Sequence, residues 1–245
     1  IEAYDSLMKG SLNNKWDIDP FYLDKTRWRV GVYYQDVDVQ QVHSDVQEFT
    51  ARMIKEIFSG IATTAVYVQN SPVAGYGEAF RVARTSGMDY FVTLSMDESD
   101  REVSLSAVVY SARSGTEVNR FSVFRTGNNR YAALLRSFRR HLLDMLPVRG
   151  KIIARNINET LVDLGKTEGM VKGAVLDVVK AGSVQISDKG PGVVFNEKDK
   201  LATITISAVG EEIAQGELVQ PGFYDRVNVG DEVLVRSLPE GSEPD

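Results

Sequence analysis

The chain has 245 residues, 43% hydrophobic and 25% charged, which marks a globular protein with room for two ordinary domains. Its net charge of −6 argues against general nucleic-acid binding by phosphate neutralisation. The absence of cysteine removes disulfides, thiolate nucleophiles and cysteine-based zinc sites together, and no apolar run of about 18 residues offers to span a bilayer.

The chain opens on Ile1 rather than methionine, which implies a preceding piece: a signal peptide, a lipid anchor or another domain. Residues 1–25 read as a polar N-terminal arm with a short helix before Gly10. Trp16, Phe21 and Tyr22 are its anchors, expected to dock on the first domain. Thr26 to Tyr34 alternates as a strand does. Val42, Val46, Phe49, Met53, Ile57 and Ile61 then fall on one face of a helix predicted over Gln41 to Ile61. A short β-branched strand is expected at Thr63 to Gln69 and a reversal at Ser71-Pro72. Gly75-Tyr76-Gly77 reads as a flexible loop before a helix at Ala79 to Ser86, which Gly87 caps. A strand over Asp89 to Met96 follows.

The stretch Glu78 to Met96, EAFRVARTSGMDYFVTLSM, resembles the helix, glycine, Asp-Tyr and β-branched strand of the TolB N-terminal and CsgG/LpoB-like envelope domains. After it come two antiparallel strands, Glu102 to Ala112 and Thr116 to Arg125, joined at Arg113-Ser114-Gly115. A long helix from Asn128 carries Leu134, Leu135, Phe138, Leu142, Leu143 and Leu146 on its apolar face and stops at Pro147. The order β-α-β-α-β-β-β-α predicts a mixed sheet covered by helices.

From Val148 the grammar changes. Ile153, Ile157, Leu161, Val162 and Leu164 alternate as a strand, a glycine-led turn follows, and a second β-branched run starts at Ala174. Lys172-Gly173 precedes Val175, Leu176 and Val178, and Gly230-Asp231 precedes Val233, Leu234 and Val235 in the same way. Val184 to Lys200, with Gly190-Pro191-Gly192, reads as a long loop or irregular hairpin. Strands are expected at Leu201 to Val209, Glu217 to Gln220 and from Val233. The predicted class is α+β: a mixed-sheet α/β domain over 26–147, a small β-barrel over 148–238 and a polar tail over 239–245.

Within that barrel, the order V-D-L-G at 162–165, E-G at 168–169, K-G-x-x-L-x-V at 172–178 and Gly182 resembles the C-terminal domain of the flagellar assembly protein FlgT family. The resemblance covers Arg149 to about Leu238. It implies a structural protein of the outer ring around the flagellar basal body, in the periplasm, and points to Gly165, Gly169, Gly173, Gly182 and Gly230 as folding positions rather than functional ones.

Few residues offer chemistry against this background. Gly75-Tyr76-Gly77 has Phe80 where a dinucleotide loop needs its third glycine, and no Gly-Lys-Ser/Thr occurs. His43 and His141 lack companions at metal-ligand spacing. Asp36 and Asp38 share one face at the end of the first strand, where acids suit a helix entrance better than a metal. Asp97-Glu98-Ser99-Asp100 lacks the calcium-loop order, and Gly-x-Ser-x-Gly is absent. No catalytic, cofactor or metal residue is therefore assigned, and the chain reads as non-enzymatic. Arg130, Arg136, Arg139 and Arg140 on the long helix are the candidate interaction surface, weighed against a solvated face that complements the helix dipole; Lys25, Arg27 and Arg29 are read the same way.

The expected function is an extracytoplasmic assembly protein associated with a flagellar basal-body ring, working with envelope or flagellar proteins and open to homo-oligomer or ring formation, without nucleic acid or a membrane-spanning segment. The alternative is a CsgG/LpoB-like envelope lipoprotein that binds a cell-wall synthase or secretion channel. A nucleotide- or sugar-binding enzyme would instead place a pocket near Asp36 and Asp38.

Overall fold

The computed structural model describes residues 12–19, 23–35, 45–222 and 224–239. The helix expected before Gly10, the anchors Phe21 and Tyr22, the pair Asp36 and Asp38, His43 and the tail beyond Pro239 lie outside them. The chain divides into two compact units: an α/β unit of Thr26–Leu146 with Ile186–Gly192, and a barrel unit of the remaining residues, including the described part of the arm. The arm holds a short helix, α1 (Leu12–Trp16).

The α/β unit runs β1 (Trp28–Tyr34), α2 (Val46–Phe58), β2 (Thr64–Val68), α3 (Tyr76–Thr85), β3 (Tyr90–Glu98), β4 (Glu102–Ser111), β5 (Glu117–Thr126) and α4 (Arg130–Asp144). The sheet order is β2-β1-β3-β4-β5, with β1 parallel to β2 and β3, and β3 to β5 an antiparallel meander. This is the predicted mixed sheet. Period-two burial sorts its faces: Val103, Leu105, Ala107 and Val109 of β4 are buried with intervening residues more open. Helices α2 and α4 cover that face. Thr50 donates to the Met96 sulfur at 3.0 Å, and Phe138 meets Phe58 edge-on and Phe121 tilted. Helix α3 packs on the opposite face through Ala79 and Ala83 against Tyr33 and Phe91.

Two helical expectations are corrected. The buried stripe of α2 is Val46, Thr50, Ala51, Ile54 and Phe58, whereas Phe49, Met53 and Ile57 are half-buried on its flank. The flank is not solvent, because Phe49 stacks edge-on with Tyr131 of α4; two neighbours widen the apolar arc beyond the stripe that faces the sheet. Tyr76 and Gly77 belong to the first turn of α3 rather than to a loop. Tyr76 donates to the Gly115 carbonyl at 2.7 Å and packs on Phe80, Phe91 and Tyr110, so tertiary contacts start the helix early.

The barrel unit holds β6 (Arg149–Asn156), β7 (Glu159–Val162), β8 (Val175–Val179), β11 (Lys200–Val209), β12 (Ala214–Val219) and β13 (Glu232–Ser237); the excursion between β8 and β11 carries the two-residue pair β9 (Gln185–Ile186) and β10 (Val193–Val194). The six longer strands close in the order β11-β12-β7-β6-β13-β8, antiparallel throughout, which leaves the barrel no free edge. Ile152, Val162, Leu176, Val178, Ile204, Ile206, Leu218 and Val233 fill it. The alternation through Ile157 predicts one strand, but the chain makes the β6–β7 hairpin there, with Asn156 opposite Glu159 and Ile157 at its tip. Asn156 and Asn158 flank that tip and favour the reversal.

Two polar expectations also change. Trp16 docks on the barrel unit rather than the first domain: its indole donates to Gln215 Oε1 at 3.0 Å, as does Lys15 at 2.9 Å, satisfying a glutamine only 8% exposed. Lys25 is not on a solvated face. It is buried between Glu168, 2.7 Å away, and Glu212, 2.5 Å away. Arg27 is buried in its own unit, while Arg29 stays exposed with its guanidinium 5.4 Å from the Tyr67 ring. No helix among the described residues is long and apolar enough to cross a membrane.

Candidate functional site

The arginines singled out from sequence all lie on or at the start of α4, and they differ in what they contact. Arg139 donates to the Ile57 carbonyl at 3.2 Å, binding the end of α2. Arg130 is half-buried over Tyr131, with 5.3 Å between guanidinium and ring, and donates to the Gly127 carbonyl at 3.3 Å. Arg136 and Arg140 are exposed one turn apart. His141 lies against Phe121, ring centroids 5.1 Å apart. Among the described residues no group of three or more histidines and carboxylates is arranged to hold a metal.

The barrel unit presents a more organised surface. Ile157 has φ 55°, a left-handed conformation that costs a β-branched residue, and it is 80% exposed. Arg155 holds the tip from below. Its Nε donates to the Ile157 carbonyl at 2.8 Å, while Nη1 donates to Asp225 Oδ1 at 2.7 Å and to the Val227 carbonyl at 2.8 Å. The side chain of Arg155 is 13% exposed and that of Asp225 59%, so the guanidinium is sheltered while the carboxylate that holds it faces water. Asp225 also accepts from Gln220 Nε2 at 3.0 Å and from the Val227 amide at 3.2 Å. The Arg155 hydrogen bond, helped by these two, holds its carboxyl down at about 2.

The clasp joins two connections that are remote in sequence. One carries Ile157; the other carries Tyr224, 79% exposed. A third tie, from the Leu218 amide to the Asn158 carbonyl at 2.7 Å, adds the end of β12 and its exposed Val219. Three large side chains are thus displayed from anchored backbone. Val219 also borders a cavity of about 410 Å³ lined by Glu197, Lys200, Thr203, Pro221 and Arg236. Lys200, 3.1 Å from Asp177, and Arg236 converge on that carboxylate; burial pushes the Asp177 carboxyl up and Arg236 opposes the push. A second cavity, of about 480 Å³, contains Asp17, Asp19, Asp24, Lys151 and Asp163, where Asp163 is engaged by the Lys151 amide at 2.6 Å.

The arrangement supplies apolar contact area with a polar border and a fixed backbone. Sequence reading missed it because Ile157 satisfied an alternating pattern; the available signal was Asn156-Ile157-Asn158, a turn composition around a β-branched residue.

The family-model comparison falls on the α/β unit. The TPASS_0648_2nd model, described as a family's second domain, matches residues 27–144. Nothing among curated proteins matches significantly. The chain is similar to a PelC dodecamer from Paraburkholderia phytofirmans, at 16% identity and TM-score 0.30 over 47% of this chain and 83% of that one. It is also similar to the LpoB C-terminal domain from Salmonella enterica, at 11% identity and TM-score 0.25 over 42% and 85%. Lipoprotein GNA1162 from Neisseria meningitidis is similar at 15% identity and TM-score 0.31 over 47% and 96%. Likenesses this distant carry no argument about activity, and they lend the flagellar resemblance no support.

Proposed function

We propose that this chain is a non-enzymatic, extracytoplasmic assembly protein whose barrel end docks a protein partner of the cell envelope. The observation that carries the reading is Ile157, held by the Arg155 clasp in a strained conformation and 80% exposed. Strain kept at an exposed tip, with no packing gained there, is expected where the side chain serves recognition. Tyr224 and Val219 add area beside it.

The finer reading, a component associated with a flagellar basal-body ring, rests on the resemblance across 149–238. The second reading, a CsgG/LpoB-like lipoprotein acting at a cell-wall synthase or secretion channel, rests on the segment Glu78 to Met96. Crosslinked recovery from the native envelope, with mass-spectrometric identification, tests both. Basal-body ring components recovered by the wild-type chain and lost with Ile157→Asn/Tyr224→Ser support the first; a synthase or pore lost in the same way supports the second. Equal recovery by wild type and variant overturns the barrel-end docking site.

A further inference from the structure

Strand β5 ends the sheet order of the α/β unit, and its outer side pairs with no other strand among the described residues. Two local hydrogen bonds show which backbone groups face outward. The Arg120 amide is capped by Asn119 Oδ1 at 2.8 Å, and the Phe124 carbonyl accepts from Arg125 Nη1 at 2.7 Å. Since a strand alternates the side to which its backbone groups point, Arg120, Ser122 and Phe124 turn both amide and carbonyl outward. Their side chains are exposed too, with Phe124 at 53%. Edges of this kind recruit another strand unless blocked.

We infer that β5 pairs with β5 of a second copy of the chain about a two-fold axis, with Ser122 opposite the partner's Ser122. This reading is independent of the barrel-end site. Antiparallel self-pairing about Ser122 places Arg120 opposite the partner's Phe124, and the reverse, so the amides and carbonyls of all three outward residues are matched. On the same face Arg120, already gripped by Glu117 at 2.9 and 2.8 Å, lies across the partner's Phe124 ring, the contact that Arg29 makes with Tyr67 in the same unit. On the other face Phe121, against Phe138, and Val123, 4% exposed, are already covered within the chain, and the register sets Asn119 opposite the partner's Arg125. The two side chains that cap the free edge are thereby set against each other. Arg125 also donates to Ser137 Oγ at 2.6 Å, which keeps its guanidinium on that face, so Asn119 gains a donor across the axis when the Arg120 amide passes to the partner strand. A foreign strand would not supply that match, which is why a second copy is the occupant.

The chain has no cysteine, so single cysteines read the register directly. In the inferred pair the Cα atoms at 122 lie about 5.5 Å apart, inside the disulfide range, while those at 124 are separated by about 14 Å. Mild oxidation of the full chain should give a covalent dimer with Ser122→Cys at least about tenfold faster than with Phe124→Cys. Sedimentation should show a concentration-dependent dimer for the wild-type chain that disappears in Ser122→Pro, whose lost amide faces outward and so spares the β4–β5 ladder. Arg120→Glu, which also loses the Glu117 pair, should be monomeric too, with far-UV circular dichroism showing the fold retained. Equal crosslinking at both positions, crosslinking at neither, a monomer at every concentration, or a species larger than a dimer would overturn the pairing.

Discussion

Lys25→Met tests whether the arm is locked to the barrel unit by charge. The ammonium lies 2.7 Å from Glu168 and 2.5 Å from Glu212. Those two carboxylates differ in what they can do when it is removed. Glu212 is 41% exposed and can turn to water, whereas Glu168 is 8% exposed and is also tied to the Gly165 amide at 2.7 Å. Methionine keeps most of the lysine stem, so the cost is chiefly one stranded buried carboxylate. Deleting one partner of a buried pair costs about 3–5 kcal/mol, and the surviving Gly165 bond sets the expectation at the low end, about 3 kcal/mol. In Lys25→Met/Glu168→Gln the stranded charge is gone while an amide oxygen still accepts from Gly165, so about half that loss should return. Urea titration in a Trp28→Phe background isolates Trp16, which reports on the barrel unit through Gln215. A single-variant loss under about 1 kcal/mol, or a double variant no better than the single, would refute the reasoning.

Gly165→Ala should cost about 2–3 kcal/mol by thermal melting, because its Cβ would sit on the Glu211 carbonyl and 2.6 Å from the Glu212 amide nitrogen, both backbone and unable to swing away. Ile157→Asn should raise stability by about 1 kcal/mol, since asparagine tolerates the left-handed region, while partner recovery falls; a loss of stability would remove the strain argument. The depressed Asp225 carboxyl stabilises the fold fully above the ordinary carboxylate value and loses that contribution as pH falls through about 2. Urea midpoints of wild type and Asp225→Asn should therefore converge on acidification, and parallel curves would deny the clasp its role. Leu142→Ala, at a fully buried position on α4, should cost about 3 kcal/mol in urea unfolding, with the loss confined to the α/β unit.

Periodicity in the chain specified most of the architecture. The meander of β3, β4 and β5, the amphipathic α4 ending before Pro147 and the strands β8 and β11 follow from spacings of two and of three to four residues, which bind each residue to its near neighbours. Distant neighbours are invisible to such patterns. Lys25 reads as solvated until Glu168 and Glu212 close around it, and Tyr76 reads as loop until Gly115 and the Phe91 cluster hold it. Ile157 is the sharpest case. Its alternation with Ile153 and Leu161 matches a buried strand, yet the reversal at Asn156 to Asn158 puts it in solvent, and Arg155 reaches residues some seventy positions onward to keep it there. The edge of β5 has the same origin, since a strand's pattern says which residues alternate but not which side finds a neighbour. Local chemistry chose the elements, while closure of the barrel and the end of the sheet chose which groups were left facing outward.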